Sequence, residues 1–281
     1  MTTIDTNSDD EGEGQLEDGC SPSTPEHDSL QRQYVLAHSS RMEAEARAMG
    51  GEVIRTDHLV YGARGIPHPI FNQCVLLQPV ATIDPEVFAE ELAACRALGS
   101  PLSIWSMWPT GDLRHLRLRL SGHPPLMARP PGPRPSSTTS EPDRLRVAEV
   151  TDDEGLSVFA RVAADGFGMG EASGDDADDG PSPFDGRILA TGWRAWVASL
   201  DGEPVATAAG RTAHGVNLVE IVATLERARG RGIGAAVTWA ATLADPTLPA
   251  VLVASDLGRP VYTRMGYLTL TRGTVWLDDA N

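Results

Sequence analysis

The sequence predicts an α/β (α+β) fold: a mixed central sheet flanked by helices, with two tandem copies suggested in one chain. Three observations carry this reading. Apolar stretches of strand length alternate with stretches of helical period. The second half runs hairpin, strand, glycine turn, helix, strand, helix, strand. Between the halves lies a segment near 124–143 holding Pro124, Pro125, Pro130, Pro131, Pro133, Pro135 and Pro142, with a Ser/Thr run from Ser136 to Ser140. That composition predicts an extended linker. The expected organisation is a disordered acidic tail over 1–29, an accessory or degenerate α/β domain over 30–128, a linker over 129–143 and a second α/β domain over 144–281.

In the first half, Ser29–Met49 has helix-forming composition, with Leu30, Tyr34, Met42, Ala46 and Met49 as inner positions and Gly50-Gly51 as its stop. Val53–Tyr61 and Cys74–Val80 read as strands. Asp84-Pro85 is an N-cap followed by a first-turn proline, opening a helix to about Leu98 that Gly99 closes. Leu102–Trp108 reads as a strand, and Arg114–Leu120 is ambiguous in period. In the second half, Thr151–Asp165 reads as a helix capped by Thr151 or Asp152, and Gly166–Phe184 as an acidic, glycine-rich loop. Trp193–Leu200 and Pro204–Thr212 are strands joined at Asp201-Gly202, a hairpin signal. Asn217–Thr224 is a strand, Gly232–Ala244 a helix stopped by Pro246, Ala250–Ala254 a short strand, and Arg259–Met265 a short helix. Tyr267–Leu277 supplies the last strand or two.

Composition removes whole classes of function. The formal net charge is −16, against the basic face that nucleic-acid binding requires. Every basic residue is arginine, so lysine Schiff-base chemistry is excluded. Residues 1–30 hold nine acidic side chains and no basic one, which predicts disorder and not a signal peptide. No apolar run reaches membrane-spanning length. Cys20, Cys74 and Cys95 are widely spaced, giving neither a metal-ligand pattern nor a disulfide framework. A cytoplasmic protein without a metal is the expectation.

The chemistry concentrates at Arg229-Gly230-Arg231-Gly232-Ile233-Gly234, between the apolar run Val216–Thr224 and a helical pattern. Strand, glycine turn and helix start together form a phosphate site, because free backbone N–H groups and the helix dipole face the anion. Two other phosphate-binding motifs fail. The glycine spacing here is G-x-G-x-G, late in its domain, and not the dinucleotide fingerprint G-x-G-x-x-G. A Walker loop needs lysine, which this chain lacks.

Three segments in order, Leu218-Val-Glu-Ile-Val-Ala-Thr224, Arg229-Gly-Arg-Gly-Ile-Gly-Ala235 and Pro260-Val-Tyr-Thr-Arg-Met-Gly-Tyr267, resemble the GNAT superfamily of acetyl-CoA-dependent N-acetyltransferases over roughly residues 145–277. The resemblance implies that Val222, Ala223 and Thr224 offer backbone groups to pantetheine. It implies that Arg229, Gly230, Arg231, Gly232, Ile233, Gly234 and Ala235 surround the pyrophosphate. Arg231 competes with a plain solvated charge for that role. Glu226 departs from the family, many members of which have proline there.

The resemblance also makes Tyr262 the acid that protonates the departing thiolate, since a phenol of pKa ~10 suits that leaving group. Glu220, a charge inside an apolar strand, is the leading base, with a structural carboxylate as the competing role. Period-two alternation puts it on one face with Leu218, Val222 and Thr224, and burial is expected to raise its pKa. His214 is a weaker base candidate beside Gly215, and Tyr267 is expected to pack. Glu171, Asp175, Asp176, Asp178 and Asp179 crowd the acidic loop, either steering a cationic amine or only solubilising. Phe71, Asn72, Trp105 and Trp108 line an acceptor pocket or the seam between the halves, or pack in the core. The expected activity is transfer of an acetyl group from acetyl-CoA directly to an amine of a small molecule or peptide, with a homodimer as one assembly. The alternative is a catalytically silent CoA-binding sensor or interaction module.

Overall fold

A computed structural model describes residues 29–136, 142–169 and 184–279. The acidic tail before Ser29, Cys20, Ser137–Ser140 and the five loop carboxylates from Glu171 to Asp179 lie outside the described residues.

The first half opens with helix α1 (Leu30–Ala48), capped by the Ser29 hydroxyl, which accepts from the Arg32 N–H. Strands β1 (Glu52–Arg55), β2 (Leu59–Ala63) and β3 (Gln73–Leu76) follow. The single strand expected over Val53–Tyr61 is thus two, turned at residues 56–58. Helix α2 (Pro85–Ala97) starts at Asp84, whose carboxylate accepts from the Glu86 and Val87 N–H groups. Strand β4 (Ser103–Ser106) comes next. A short 3-10 turn at Arg114–Leu116 then leads into β5 (Leu118–Gly122), resolving the ambiguous stretch.

Strand β6 (Pro125–Arg129) occupies the start of the segment expected to be linker, and all five of its residues are buried. Prolines 124 and 125 fall at its first position and just before it, where no ladder N–H is needed. The run Leu126–Arg129 keeps every donor. Arg129 then fastens the prolines that follow. Its guanidinium donates to the carbonyls of Pro130, Gly132, Pro133 and Met265 and lies 4.9 Å above the Trp239 ring.

The second half holds β7 (Leu145–Val150), a strand absent from the sequence reading, and α3 (Asp153–Gly166), capped by Asp152. Helix α4 (Gly186–Leu189) is a single turn. Strands β8 (Trp193–Leu200), β9 (Glu203–Ala213) and β10 (Val216–Thr224) form a meander. Both of its turns have two residues at positive φ, Asp201-Gly202 (53° and 89°) and His214-Gly215 (48° and 75°), the backbone that right-twisted hairpins favour. Helix α5 (Ile233–Thr242), β11 (Ala250–Val253), α6 (Arg259–Arg264), β12 (Leu268–Arg272) and β13 (Thr274–Asp278) complete the chain.

Two mixed sheets result, and the halves exchange strands to make them. The six-stranded sheet runs β1-β2-β3-β4-β13-β5, and the seven-stranded sheet runs β12-β6-β11-β10-β9-β8-β7. Strand β6 pairs antiparallel with β11 on one side (Met127 opposite Leu252) and with β12 on the other (Leu268 opposite Ala128). Strand β13 enters the first sheet between β4 and β5 in the same way. The boundary expected between 128 and 144 therefore does not partition the sheets.

Both sheets follow one pattern. A meander leads to a parallel pair crossed by a helix: β3-α2-β4 in one, β10-α5-β11 in the other. A strand from the other half follows, then a local edge strand. The repeat suggested in the sequence is plain in this topology. One core cluster is shared between the sheets, joining Tyr34, Val35 and Met42 of α1 to Leu126 and Ala128 of β6 and to Val216, Leu218 and Val251.

Candidate active site

The site begins with a break in strand β10. Glu220 pairs opposite Ala209, but Ala223 pairs opposite Thr207, so one extra residue is accommodated. Ile221 takes φ +49°, a left-handed conformation costly for a β-branched residue. The Thr207 hydroxyl donates to the Ile221 carbonyl at 3.1 Å and holds the bulge. The bulge ends the alternation assumed from the sequence. Leu218 packs in the core shared with α1, whereas Val222 packs toward the α5 side.

The bulge coincides with a parting of strands. Strands β10 and β11 pair only at Asn217–Ala250 and Leu218–Val251. Beyond Leu218 the β11-side edge of β10 has no strand partner among the described residues. Four of the five residues from Glu220 to Thr224 are half-buried, on a strand otherwise closed. Val222, Ala223 and Thr224, the expected pantetheine contacts, lie along this open edge.

The chain then makes a 3-10 turn at Glu226–Ala228 and enters the glycine turn. Gly230 and Gly232 have φ of +74° and +78°, which side chains resist. The first intrahelical bond of α5 runs from the Ala236 N–H to the Gly232 carbonyl, so the N–H groups of Ile233, Gly234 and Ala235 have no acceptor within the helix. No side chain caps this end, and its first turn holds no acid. A Cβ on Gly234 would stand 2.9 Å from the Thr224 hydroxyl, so glycine sets how closely helix and strand approach. This is a cradle of backbone donors that suits a pyrophosphate.

Arg229 is less available than the sequence reading assumed. Its guanidinium donates to the carbonyls of Thr224 (3.0 Å) and Gly166 (3.2 Å), tying β10 and the end of α3 to the turn. Arg231 is exposed.

The corresponding place in the first half is closed. At the start of α2 the Asp84 carboxylate takes the Glu86 and Val87 N–H groups, Pro85 has none to give, and Glu86 adds a second negative charge. An anion is repelled there.

Tyr262 lies on α6, is 8% exposed, and its hydroxyl has no hydrogen-bond partner among the described residues. Burial pushes its pKa up to about 12. Tyr267 packs edge-on against it at 6.0 Å, fully buried, with its hydroxyl 2.7 Å from Thr242 Oγ1.

Glu220 differs from expectation. Its Oε1 lies 3.2 Å from His38 Nδ1, and its Oε2 lies 2.6 Å from Arg41 Nε. The arginine contact is a close ion pair whose N–H is not aligned on the oxygen, since neither atom completes a hydrogen bond. Burial alone would raise the carboxyl pKa, but the Arg41 charge and the His38 contact outweigh it. The net shift is downward, so the expected rise is corrected to a fall.

His38 and Arg41 come from α1, and sequence reasoning missed both. Their signal was legible: Tyr34, His38, Arg41 and Glu45 are spaced 4, 3 and 4, one face of a helix. Asn72 is structural, its amide donating to the carbonyls of Ile66 and His68. Trp108 is buried in the shared core, and Trp105 flanks His38 at 5.7 Å. Phe71 packs against the cluster under α3, edge-on to Phe184 at 5.9 Å. His214 is a turn residue at φ +48°. Among the described residues no group of three or more His, Cys, Asp or Glu could hold a metal, and no helix is long and apolar enough to cross a membrane.

No family model matches this chain, and no curated protein does. Solved structures do. A GCN5-related N-acetyltransferase from Kribbella flavida is similar with a TM-score of 0.63 at 23% identity, over 88% of this chain and 96% of that one. A conserved protein of unknown function from Staphylococcus epidermidis gives 0.54 at 13% identity, over 82% and 95%. A GNAT-family protein from Novosphingobium aromaticivorans gives 0.51 at 16%, over 85% and 94%. Each alignment covers most of both chains, so the likeness takes in both sheets.

Proposed function

Starting from a chain with the fold of GNAT acetyltransferases, we propose that it moves an acetyl group from acetyl-CoA to an amine of a small molecule or peptide by direct transfer. One observation carries the reading. The open edge of β10 beyond Ile221 leads straight to the uncapped start of α5, so an extended thiol arm and its pyrophosphate have adjoining places. In this reading Val222–Thr224 hold the arm, and Gly230–Ala235, with Arg231, hold the pyrophosphate. Arg229 keeps the turn attached to β10 and α3.

The amine nitrogen attacks the thioester carbon. A C–N bond forms, the C–S bond breaks, and the ammonium proton leaves. With a pKa of about 12, Tyr262 stays protonated at neutral pH and is the donor to the departing sulfur. Among the described residues the first half offers no matching cradle at the start of α2, so in this reading one acetyl group is handled per chain.

One observation favours the alternative of a silent CoA-binding module: the Glu220 carboxylate is already engaged by Arg41. Calorimetry with CoA, beside thiol release from acetyl-CoA across a panel of amines, separates the readings. Micromolar CoA binding with turnover on at least one amine is expected. Tight binding with no turnover on any amine would favour the module, and absent CoA binding would end both readings.

A further inference from the structure

We propose that Arg41 and His38, carried by α1 of the first half, are positioning residues that complete the acceptor side of the cleft by fixing the Glu220 carboxylate ionised and in one rotamer. The proposal rests on the acetyl-transfer reading and gives the first half a part in it.

Glu220 is the last regular residue of β10 before the bulge, at the start of the open edge. One helix grips both of its oxygens. Arg41 is itself held, its Nη1 2.7 Å from Glu45 Oε2, and that same oxygen accepts from Arg64 at 3.0 Å. Arg211 of β9 donates to the Ser40 carbonyl and pins this turn of α1 to the second sheet. The His38 ring is stacked on Tyr34 at 5.3 Å and flanked by Trp105, which fixes the plane of the ring. Among the described residues, the titratable and charged groups around Glu220 are Tyr34, His38, Arg41 and Glu45 from α1, Arg64 after β2 and Arg211 on β9.

Two features set this arrangement apart from ordinary packing. Buried ion pairs are a poor source of stability, because desolvation offsets most of their attraction. The set is also incomplete. His38 Nε2, Arg41 Nε and Glu220 Oε2 are buried without hydrogen-bond partners among the described residues. Such groups call for a water or a polar ligand. An arriving ammonium group donates to Glu220 Oε2, while the Arg41 Nε–H, itself a donor, takes a water. The fixed anion attracts the ammonium and takes its proton, directly or through water. Protonating Glu220 removes both effects, so kcat/KM falls on the acidic side as Glu220 titrates.

The test pairs two measurements on the full chain. One is the pH dependence of kcat/KM on an amine found in the panel. The other is a carbon-detected NMR titration of the glutamate carboxyls, with Glu220→Gln identifying the Glu220 signal. Removing the positive charge with Arg41→Met should raise the Glu220 midpoint and move the acidic limb upward by about one to three pH units. His38→Phe keeps the ring stack but loses the Nδ1 contact, and should move both in the same direction by less. Arg41→Lys keeps the charge and should leave both near wild type.

A Glu220 midpoint unmoved in folded Arg41→Met and His38→Phe overturns the proposal. So does a midpoint that moves while the acidic limb stays. If Arg41→Met does not fold, the His38→Phe titration decides alone. The NMR result needs no turnover. Shifted midpoints in a protein that acetylates nothing would therefore sink the acetyl-transfer reading while leaving the electrostatic arrangement standing.

Discussion

Two tyrosines five positions apart show how placement assigns chemistry at the scale of the residue. Tyr267 spends its hydroxyl on Thr242 at 2.7 Å in a site closed to solvent. Tyr262 keeps a hydroxyl without a partner among the described residues, at 8% exposure. Removing each hydroxyl should therefore have opposite signatures. Tyr262→Phe is expected to slow the chemical step by ~10–100-fold while CoA affinity in calorimetry stays put. Tyr267→Phe is expected to leave turnover unchanged and to cost about 1–3 kcal/mol of stability, because Thr242 loses its partner. Single-turnover rates and thermal melts read the two effects separately. Unchanged turnover in Tyr262→Phe, with chemistry shown to limit the rate, would remove Tyr262 from the reaction. Burial pushes the Tyr262 phenol up to about 12, so in the proposed role it should contribute no basic limb near neutral pH.

Elements were legible in the sequence wherever their cause is local. Asp201-Gly202 specifies its hairpin because two adjacent residues tolerate positive φ, and Asp84-Pro85 starts α2 by chemistry confined to four residues. The glycine turn belongs to the same class. Gly230 and Gly232 announce left-handed backbone, and the helix follows where expected. The bulge in β10 was not legible, because Ile221 is the last type of residue to advertise φ +49°. Nor was the state of Glu220, whose partners sit 182 and 179 positions earlier on α1. A sequence window sees a lone acid in a strand and expects burial to raise its pKa, while the fold brings Arg41 to reverse the sign. Gly232 caps α5 at φ +78°, and an alanine there meets a left-handed penalty of roughly 1–2 kcal/mol. The turn would relax away from converging its N–H groups, so Gly232→Ala should weaken CoA binding by about 5–30-fold. Calorimetry checks this, and wild-type affinity in that variant would mean the turn does not hold the pyrophosphate.

At the scale of the molecule, neither half is complete. Strand β6 lies between β11 and β12, and β13 lies between β4 and β5. The composition of 124–143 concealed this. Seven prolines and a Ser/Thr run read as a spacer, although Leu126–Arg129 contains none of them, and the partners of β6 lie more than a hundred positions away. Without β6, the facing edges of β11 and β12 lose their ladder, and Leu126 and Met127 leave two cores. Without β13, β4 and β5 part, and the buried Trp276 leaves the core under α2. Unpaired strand edges beside apolar surface lead to aggregation or to strand exchange between copies. A fragment over 142–281 made alone should therefore be insoluble or an exchanged oligomer that does not bind CoA. The same fragment co-expressed with 1–141 should form a one-to-one complex that binds CoA and unfolds in a single transition. The intact chain should likewise melt once in calorimetry, although its topology repeats one order of elements twice. A monomeric 142–281 fragment that binds CoA, or two separate transitions in the intact chain, would mean the exchanged strands are dispensable. The first half would then be a separable domain, as the proline-rich composition of 124–143 predicts. A single transition would tie the Arg41–Glu220 contact and the glycine turn before α5 to one folding event, so that a substitution in α1 and one in β10 are felt by the same structure.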